Sequence, residues 1–450
     1  MQKIILFLKE KLGVSKAIAF TTVARAVHGL GSFVTVFLVA KFLTQEEQGY
    51  YYTFGSILSI QIFIELGLGG VITQFVAHEF AFLKIGTDNR ITGETAHLSR
   101  LASLVRFFAK WYIIAAIILL IVLFIVGFSF FYSYSSNDSI SWQGPWLLLI
   151  SATSLNLLLS PIFAFFEGIN KVKDVAFIRM VTQISSLFCI WAVLIFGGKL
   201  YTASVASLIN FIINLILLFN YKNLIISLKS LFDVPVESKI QYFKEIFPFQ
   251  WRIALSWMSG YFIFQLFNPV LFAFSGAEAA GHMGMTLTVL NSLLNLTLSW
   301  TTTNVPTWSS LVATKQYDQL DRSFNKVLKA SSIVCGSGII AFLVGLYLLQ
   351  YIDISIYNRF LPLYLAAILS PSFFINNIVN AWATYLRCHK KEPFLLQAVV
   401  VGICSALSTY FTAKFWGVEG VVIGYTSVVF LISLPLSYFI FKTKKTEYNV

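Results

Sequence analysis

The sequence predicts an all-α membrane protein of about twelve transmembrane helices. Three observations predict it: the number and length of its apolar stretches, its composition, and the one-sided placement of its Lys and Arg. Roughly 20 apolar residues in helical conformation cross a bilayer's hydrocarbon core. Stretches of that kind fall near 17–39, 50–76, 110–132, 145–167, 175–196, 200–220, 250–273, 282–304, 330–350, 361–386, 394–414 and 418–441. Hydrophobic residues make up 57% of the 450-residue chain and charged residues 12%, about half the charged share of soluble domains. The 44 Phe and 20 Tyr supply lipid-facing and interfacial aromatic surface.

An even number of spans puts both termini on one side. Of 32 Lys and Arg, 27 fall in the two tails and the even-numbered loops around 77–110, 168–179, 221–252, 305–329 and 387–393. Only Lys41, Lys199, Arg359 and Lys414 fall opposite, and Arg25 lies within the first span. The positive-inside rule makes the basic side cytoplasmic, with both termini there. The net charge of +12 then reflects insertion topology and anionic headgroups. Nucleic acid is not an expected partner, because no soluble domain gathers that charge. Lys3, Lys9, Lys11 and Lys16 interrupt any apolar core of a cleavable signal. Ile4, Ile5, Leu8 and Leu12 instead share a helical face, the pattern of a short helix lying on the membrane.

Enzymatic chemistry finds no purchase here. Cys189, Cys335, Cys388 and Cys404 are scattered, without disulfide or metal spacing. The longest outward loop, Ser133 to Gly144, is a dozen residues, and no inward loop is long enough for a nucleotide-binding domain. The chain carries no GxxxxGK[ST], HExxH or GxSxG. The expectation is a non-enzyme without cofactor or metal.

The spans repeat. At a shift of about 220 residues, Glu46-Glu47-Gln48-Gly49 after span one corresponds to Glu278-Ala279-Ala280-Gly281 after span seven. Leu98-Ser99-Arg100 corresponds to Leu320-Asp321-Arg322, and Lys171-Val172-Lys173-Asp174 to Lys390-Lys391-Glu392. Phe196-Gly197-Gly198 before span six matches Phe415-Trp416-Gly417 before span twelve. These coincidences, in register, predict two six-helix halves, residues 1–225 and 226–450, joined by a basic linker near 221–248. Six spans is even, so the halves run parallel, and transporters so built pass substrate through a central cavity between rocking halves.

Two motifs carry a resemblance. Ala40-Lys41-Phe42-Leu43-Thr44-Gln45-Glu46-Glu47-Gln48-Gly49-Tyr50-Tyr51 resembles the "arfL-x-x-e-e-f-G-x-y" linker of polysaccharide flippases, and Ile64-Glu65-Leu66-Gly67-Leu68-Gly69 resembles their "D/E-L-G-L-G" signature. The likeness of pattern extends along the whole chain, including Gly417-Val418-Glu419-Gly420. The sequence is thus similar to the O-antigen/capsular polysaccharide flippase family, Wzx-type, of the multidrug/oligosaccharidyl-lipid/polysaccharide (MOP) exporter superfamily. That resemblance implies a MATE-like fold in the bacterial cytoplasmic membrane. It also implies translocation of an undecaprenyl-diphosphate-linked oligosaccharide, with membrane lipids and other polysaccharide-assembly proteins as further partners. It implies coupling to a gradient, H+ or Na+, not to ATP. A cation-coupled multidrug antiporter of the same superfamily is the alternative, and a polytopic polymerase or ligase a lesser one, since those display large outward loops. The long polar segment 80–108 departs from the family pattern.

A flippase must shelter a diphosphate and a glycan inside the membrane, where charges are costly and face cavities or pair with one another. In span one Arg25 lies about 15 Å deep if its helix starts near Ser15, with His28 one turn on. Glu65 in span two reaches similar depth, so Arg25 and Glu65 can meet as a cavity pair or a structural ion pair. Arg179 and Arg252 enter spans five and seven near the cytoplasmic face, where forked guanidinium donors suit phosphate; snorkelling to headgroups is the plainer use. Asn210/Asn214, Asn291/Asn295 and Asn376/Asn380 are one-turn pairs, suited to sugar hydroxyls or, more commonly, to interhelical hydrogen bonds. Gln61, Gln265, Asn268, Trp300 and Trp308 join this set. Pro161 and Pro371 interrupt spans four and ten at equivalent places and are expected hinges.

Overall fold

The structure is a computed structural model that describes residues 16–135, 140–389 and 391–448. The surface helix expected over Ile4–Leu12 lies outside these residues. Nine helical segments among those described are long and apolar enough to cross a membrane. The protein is therefore a multi-pass, almost wholly helical membrane protein. One of the nine, Leu395–Tyr448, has 54 residues, about 80 Å of helix against a hydrocarbon core of about 30 Å. Gly417 interrupts it at φ 59°, ψ −139°, between the eleventh and twelfth expected spans.

By contacts the chain divides into two compact units. Among the described residues, unit 1 takes 16–24, 60–133 and 141–257, and unit 2 takes the rest.

Unit 1 is built on α3 (Gln61–Glu65), α4 (Leu68–Phe80), α5 (Thr95–Tyr134), α6 (Gln143–Gly168), α7 (Val172–Ile195), α8 (Tyr201–Asn220) and α9 (Lys222–Ser230). Helix α6 packs on α4, α7 and α8. Its approach to α4 is close because Gly168 has no side chain: a Cβ there would lie 2.6 Å from Val76. At its other end Trp146 occupies the space that a side chain on Gly127 would fill, 2.2 Å from a Cβ placed there, and donates Nε1–H to Leu123 O at 3.3 Å. Helix α5 turns Ile113, Ile114, Ile117, Ile118, Ile121 and Ile125 outward, a continuous apolar face suited to acyl chains.

The polar segment 80–108 is not a loop. Leu83–Ile85 (β1) and Ile91–Gly93 (β2) form an antiparallel hairpin, with Ile85 opposite Ile91. Its turn uses Asn89 at φ 60° and an Asp88 carboxylate that accepts from Arg90 N–H at 3.1 Å. Such residues tolerate left-handed backbone and bond their own main chain. The rest of the segment is the start of the 40-residue α5, which at about 60 Å is twice the hydrocarbon thickness.

The linker is tied to this projecting end. Arg106 donates to the carbonyls of Phe232 at 2.7 Å and Val234 at 2.6 Å. Ser99 Oγ accepts from Glu237 and Ser238 N–H at 2.9 and 3.0 Å. Arg100 bridges Glu79 at 3.1 Å and Glu245 at 2.6 Å, and His97 Nδ1 lies 2.7 Å from Glu79 Oε2. The N–H of Gln241, bonded to the Glu245 carboxylate, and then Arg100 hold that group below its ordinary range.

Unit 2 contains α2 (Gln45–Leu58), α11 (Phe267–Ser275), α12 (Ala277–Ala313), α13 (Tyr317–Tyr351), α14 (Leu363–Arg387), α15 (Leu395–Val428) and α16 (Leu434–Tyr448). The two Glu-x-x-Gly motifs meet here. Thr44 and Glu47 form a reciprocal cap at the start of α2, which satisfies two otherwise orphaned donors. A Cβ on Gly49 would sit 1.9 Å from Ala277 O, and one on Gly281 3.0 Å from Gly49 N. Fully buried Gln48 donates to Gly281 O at 2.8 Å and Arg359 O at 2.9 Å. Pro161 and Pro371 lie inside α6 and α14, each of which runs on through its proline.

Candidate functional site

Span two is broken where it was expected to be continuous. Leu66 at φ 50° and Gly67 at φ 67° separate α3 from α4. Gly67 is required twice over: its backbone is left-handed, and a Cβ would meet Ile253 Cγ2 at 2.7 Å. Discontinuous membrane helices free polar backbone and are tolerated where they line cavities. Glu65 is the last residue of α3, directly before the break. Its carboxylate accepts from Ser160 Oγ at 3.1 Å and from Gln61 Nε2 at 3.4 Å.

Beside it residues of α3, α6, α7 and α8 line an open cavity of about 320 Å³ with polar and apolar walls, at the lower end of the roughly 300–1,000 Å³ typical of ligand pockets. Gln61, Asn156, Gln183, Asn210 and Asn214 bring five carboxamides to its wall, Ser160 and Thr182 two hydroxyls, and Arg179 a guanidinium. No carboxylate is among the lining residues. Glu167, adjoining the wall, pairs with Arg179 at 2.9 Å. Its other oxygen faces Thr73 Oγ1 at 3.5 Å.

The amides are oriented. Asn156 Nδ2 donates to Ala152 O and Ser207 O, each at 2.9 Å. Asn214 Oδ1 accepts from Thr182 Oγ1 at 2.8 Å. Asn210 Oδ1 is buried with no hydrogen-bond partner among the described residues.

The candidates read from the sequence divide accordingly. Arg179, Gln61, Asn210 and Asn214 come together at the cavity, with Glu65 at its edge. Arg25 and His28 sit in α1 (Lys16–Phe42); their side chains lie outside the described residues, and with them the expected pairing of Arg25 with Glu65. Arg252 is exposed, its guanidinium carbon 5.6 Å from the Trp251 ring centre. Asn291 is half-buried and Asn295 exposed on α12, and neither is among the residues lining this cavity. Asn376 donates to Tyr425 OH at 3.0 Å, and Asn380 to Asn376 O at 2.8 Å, an interhelical and an intrahelical bond. Asn156, Ser160, Thr182, Gln183 and Glu167 were missed. The signal was present as one-turn polar spacing on three successive spans: Asn156/Ser160, Arg179/Thr182/Gln183 and Asn210/Asn214.

No family model matches the sequence, and comparison with curated proteins gives no match. Solved structures do match over almost the whole chain. An inward-facing multidrug-resistance MATE transporter of the MOP superfamily aligns with TM-score 0.62 at 11% identity, covering 98% of each chain. The fold is that of the MOP-superfamily transporters. The lipid II flippase MurJ, in an inward closed conformation, aligns at 0.60 and 13%, covering 95% of this chain and 89% of its own. A MOP transporter from Pyrococcus furiosus, described as having a binding pocket of reverse polarity, aligns at 0.55 and 12%, covering 96% and 95%. Both drug and lipid carriers are therefore among the structures sharing this fold.

Proposed function

We propose that the chain is a flippase that carries an undecaprenyl-diphosphate-linked oligosaccharide, an O-antigen or capsular repeat unit, from the cytoplasmic to the periplasmic leaflet by alternating access. The halves 1–225 and 226–450 would be the rocking bodies, with Pro161 and Pro371 as hinges and the Lys/Arg-rich side in the cytoplasm. The supporting observation is the lining of the unit 1 cavity: carboxamides, hydroxyls and one guanidinium beside Leu157 and Phe163, with no carboxylate. An organic-cation carrier needs negative charge on such a wall, because a buried cation must be offset by it. Amides and hydroxyls suit a glycan.

Glu65 favours the second reading, a cation-coupled multidrug antiporter, and also offers the flippase a group on which H+ or Na+ can act. The two readings separate in cells. Deleting the gene is expected to trap prenyl-diphosphate-linked repeat units on the cytoplasmic leaflet without changing resistance to organic cations. Normal polysaccharide export with lost cation resistance would overturn the proposal. Glu65→Gln is expected to abolish the dependence of transport on an imposed H+ or Na+ gradient; unchanged gradient dependence removes Glu65 from coupling.

A further inference from the structure

The hydrogen-bonding capacity of the unit 1 cavity is more selective than its composition. Both N–H donors of Asn156 are taken by main-chain carbonyls, Ala152 on its own helix and Ser207 on α8, so its Oδ1 is left as an acceptor. The amide cannot be reversed, since a carbonyl oxygen cannot bond two others. Asn214 Oδ1 accepts from Thr182 Oγ1, which leaves its two N–H groups as donors. Asn210, one turn before Asn214 on α8, has an unsatisfied Oδ1. Its terminal torsion is soft, so a ligand hydroxyl can draw that oxygen into a bond. Arg179 adds donors, but its charge is matched by Glu167 at 2.9 Å.

The wall thus presents acceptors and donors side by side, with Arg179 paired to Glu167 and the Glu65 carboxylate at its edge engaged by Gln61 and Ser160. At neutral pH phosphate oxygens only accept and an ammonium group only donates; neither uses such a wall fully. Adjacent sugar hydroxyls, each both donor and acceptor, do. The volume, about 320 Å³, equals that of about ten water molecules, enough for one or two sugar rings.

We infer that this cavity is a neutral-sugar subsite, with Asn156 and Asn210 as acceptors and Asn214 as donor to ring hydroxyls, and that the diphosphate is held elsewhere. The inference rests on the flippase reading for its ligand class and assigns which part of that ligand unit 1 recognises. Asn210 is its specificity-determining residue. Asn210 Oδ1 has no hydrogen-bond partner among the described residues, so it is the acceptor open to a ring hydroxyl.

The test is binding to the purified full chain in detergent, measured with two probes. One is the pool of prenyl-diphosphate-linked oligosaccharides extracted from the cells that make the protein; the other is undecaprenyl diphosphate without sugar. The wild type is expected to bind the glycosylated lipid at least about tenfold more tightly, the effect of one or two well-formed hydrogen bonds. Asn210→Leu is expected to reduce that preference about tenfold while leaving affinity for the sugar-free lipid unchanged. It should also melt close to wild type without ligand, because the Asn210 Oδ1 makes no hydrogen bond within the described residues; a residue with a merely structural role would melt lower. Should Asn210→Leu fail to accumulate, Asn210→Ala applies the same test. Equal wild-type affinity for the two lipids, or an unaltered preference in Asn210→Leu, overturns the subsite. Sugar preference that depends on Asn210, in a chain that moves no lipid across vesicles, upholds the subsite and removes the flippase reading.

Discussion

Gly49 and Gly55 lie on the same helix, and their surroundings predict opposite responses to one added methyl group. At Gly49 a Cβ would overlap Ala277 O, at 1.9 Å; at Gly55 nothing lies within 4 Å. Overpacking of a close helix crossing costs about 1–3 kcal/mol, whereas replacing a helical glycine by alanine gains roughly 0.5–1 kcal/mol. Gly49→Ala is therefore expected to lower the melting temperature in detergent, and Gly55→Ala to hold or raise it. Equal responses would remove the glycine crossing as a structural determinant. This contact shows how much a residue pattern can carry. The two Glu-x-x-Gly motifs were legible as a repeat, but their mutual contact was not, because a linear pattern holds no information on which helices cross. Arg179 was legible as a membrane-embedded cation. Its neutraliser Glu167 was not, since the two lie on different helices and their pairing depends on packing. Gly67 belongs to a recognisable motif, yet only the structure shows that its left-handed backbone ends α3 beside Glu65.

Among the elements, the hairpin and the projecting part of α5 account for the polar segment 80–108: they form the surface to which the linker is fastened. Short strands were not visible in the sequence, because three residues per strand give no usable alternation. The fastening makes two predictions. Arg106 supplies donors to carbonyls at both Phe232 and Val234, so Arg106→Ala is expected to accelerate trypsin cleavage at exposed Lys239 severalfold; an unchanged rate would mean that the linker is held by other contacts. Glu245 has a folded pKa below its unfolded value of roughly 4.3. Its contribution to stability is therefore fully present above that unfolded value and is lost as pH falls through the folded one. Glu79, His97 and Arg100 face the same cluster. The melting difference between wild type and Glu245→Gln is expected to be full above the unfolded value and to shrink as pH falls through the lowered folded one. A difference constant with pH would exclude an ionic role for Glu245.

For the whole molecule, the number and lengths of apolar stretches led to the fold class, and the agreement with MOP transporter structures over nearly the full chain follows from the same helices. Expected span two illustrates what apolar periodicity leaves out. It does not register the break at Leu66–Gly67, because that is decided by φ and ψ at two residues, whereas the break at Gly417 falls where the sequence separates spans eleven and twelve. Function was less legible than fold, since the polar residues that matter are spread over α3, α6, α7 and α8 and acquire a common purpose only when packed together.

The most direct measurement places the purified chain in sealed vesicles containing a fluorescent prenyl-diphosphate-linked oligosaccharide and follows its exposure to a membrane-impermeant quencher. The account predicts transbilayer movement well above that of protein-free vesicles, slowed by Asn210→Leu, with no transport of an organic cation such as ethidium. Ethidium transport without lipid movement would contradict it.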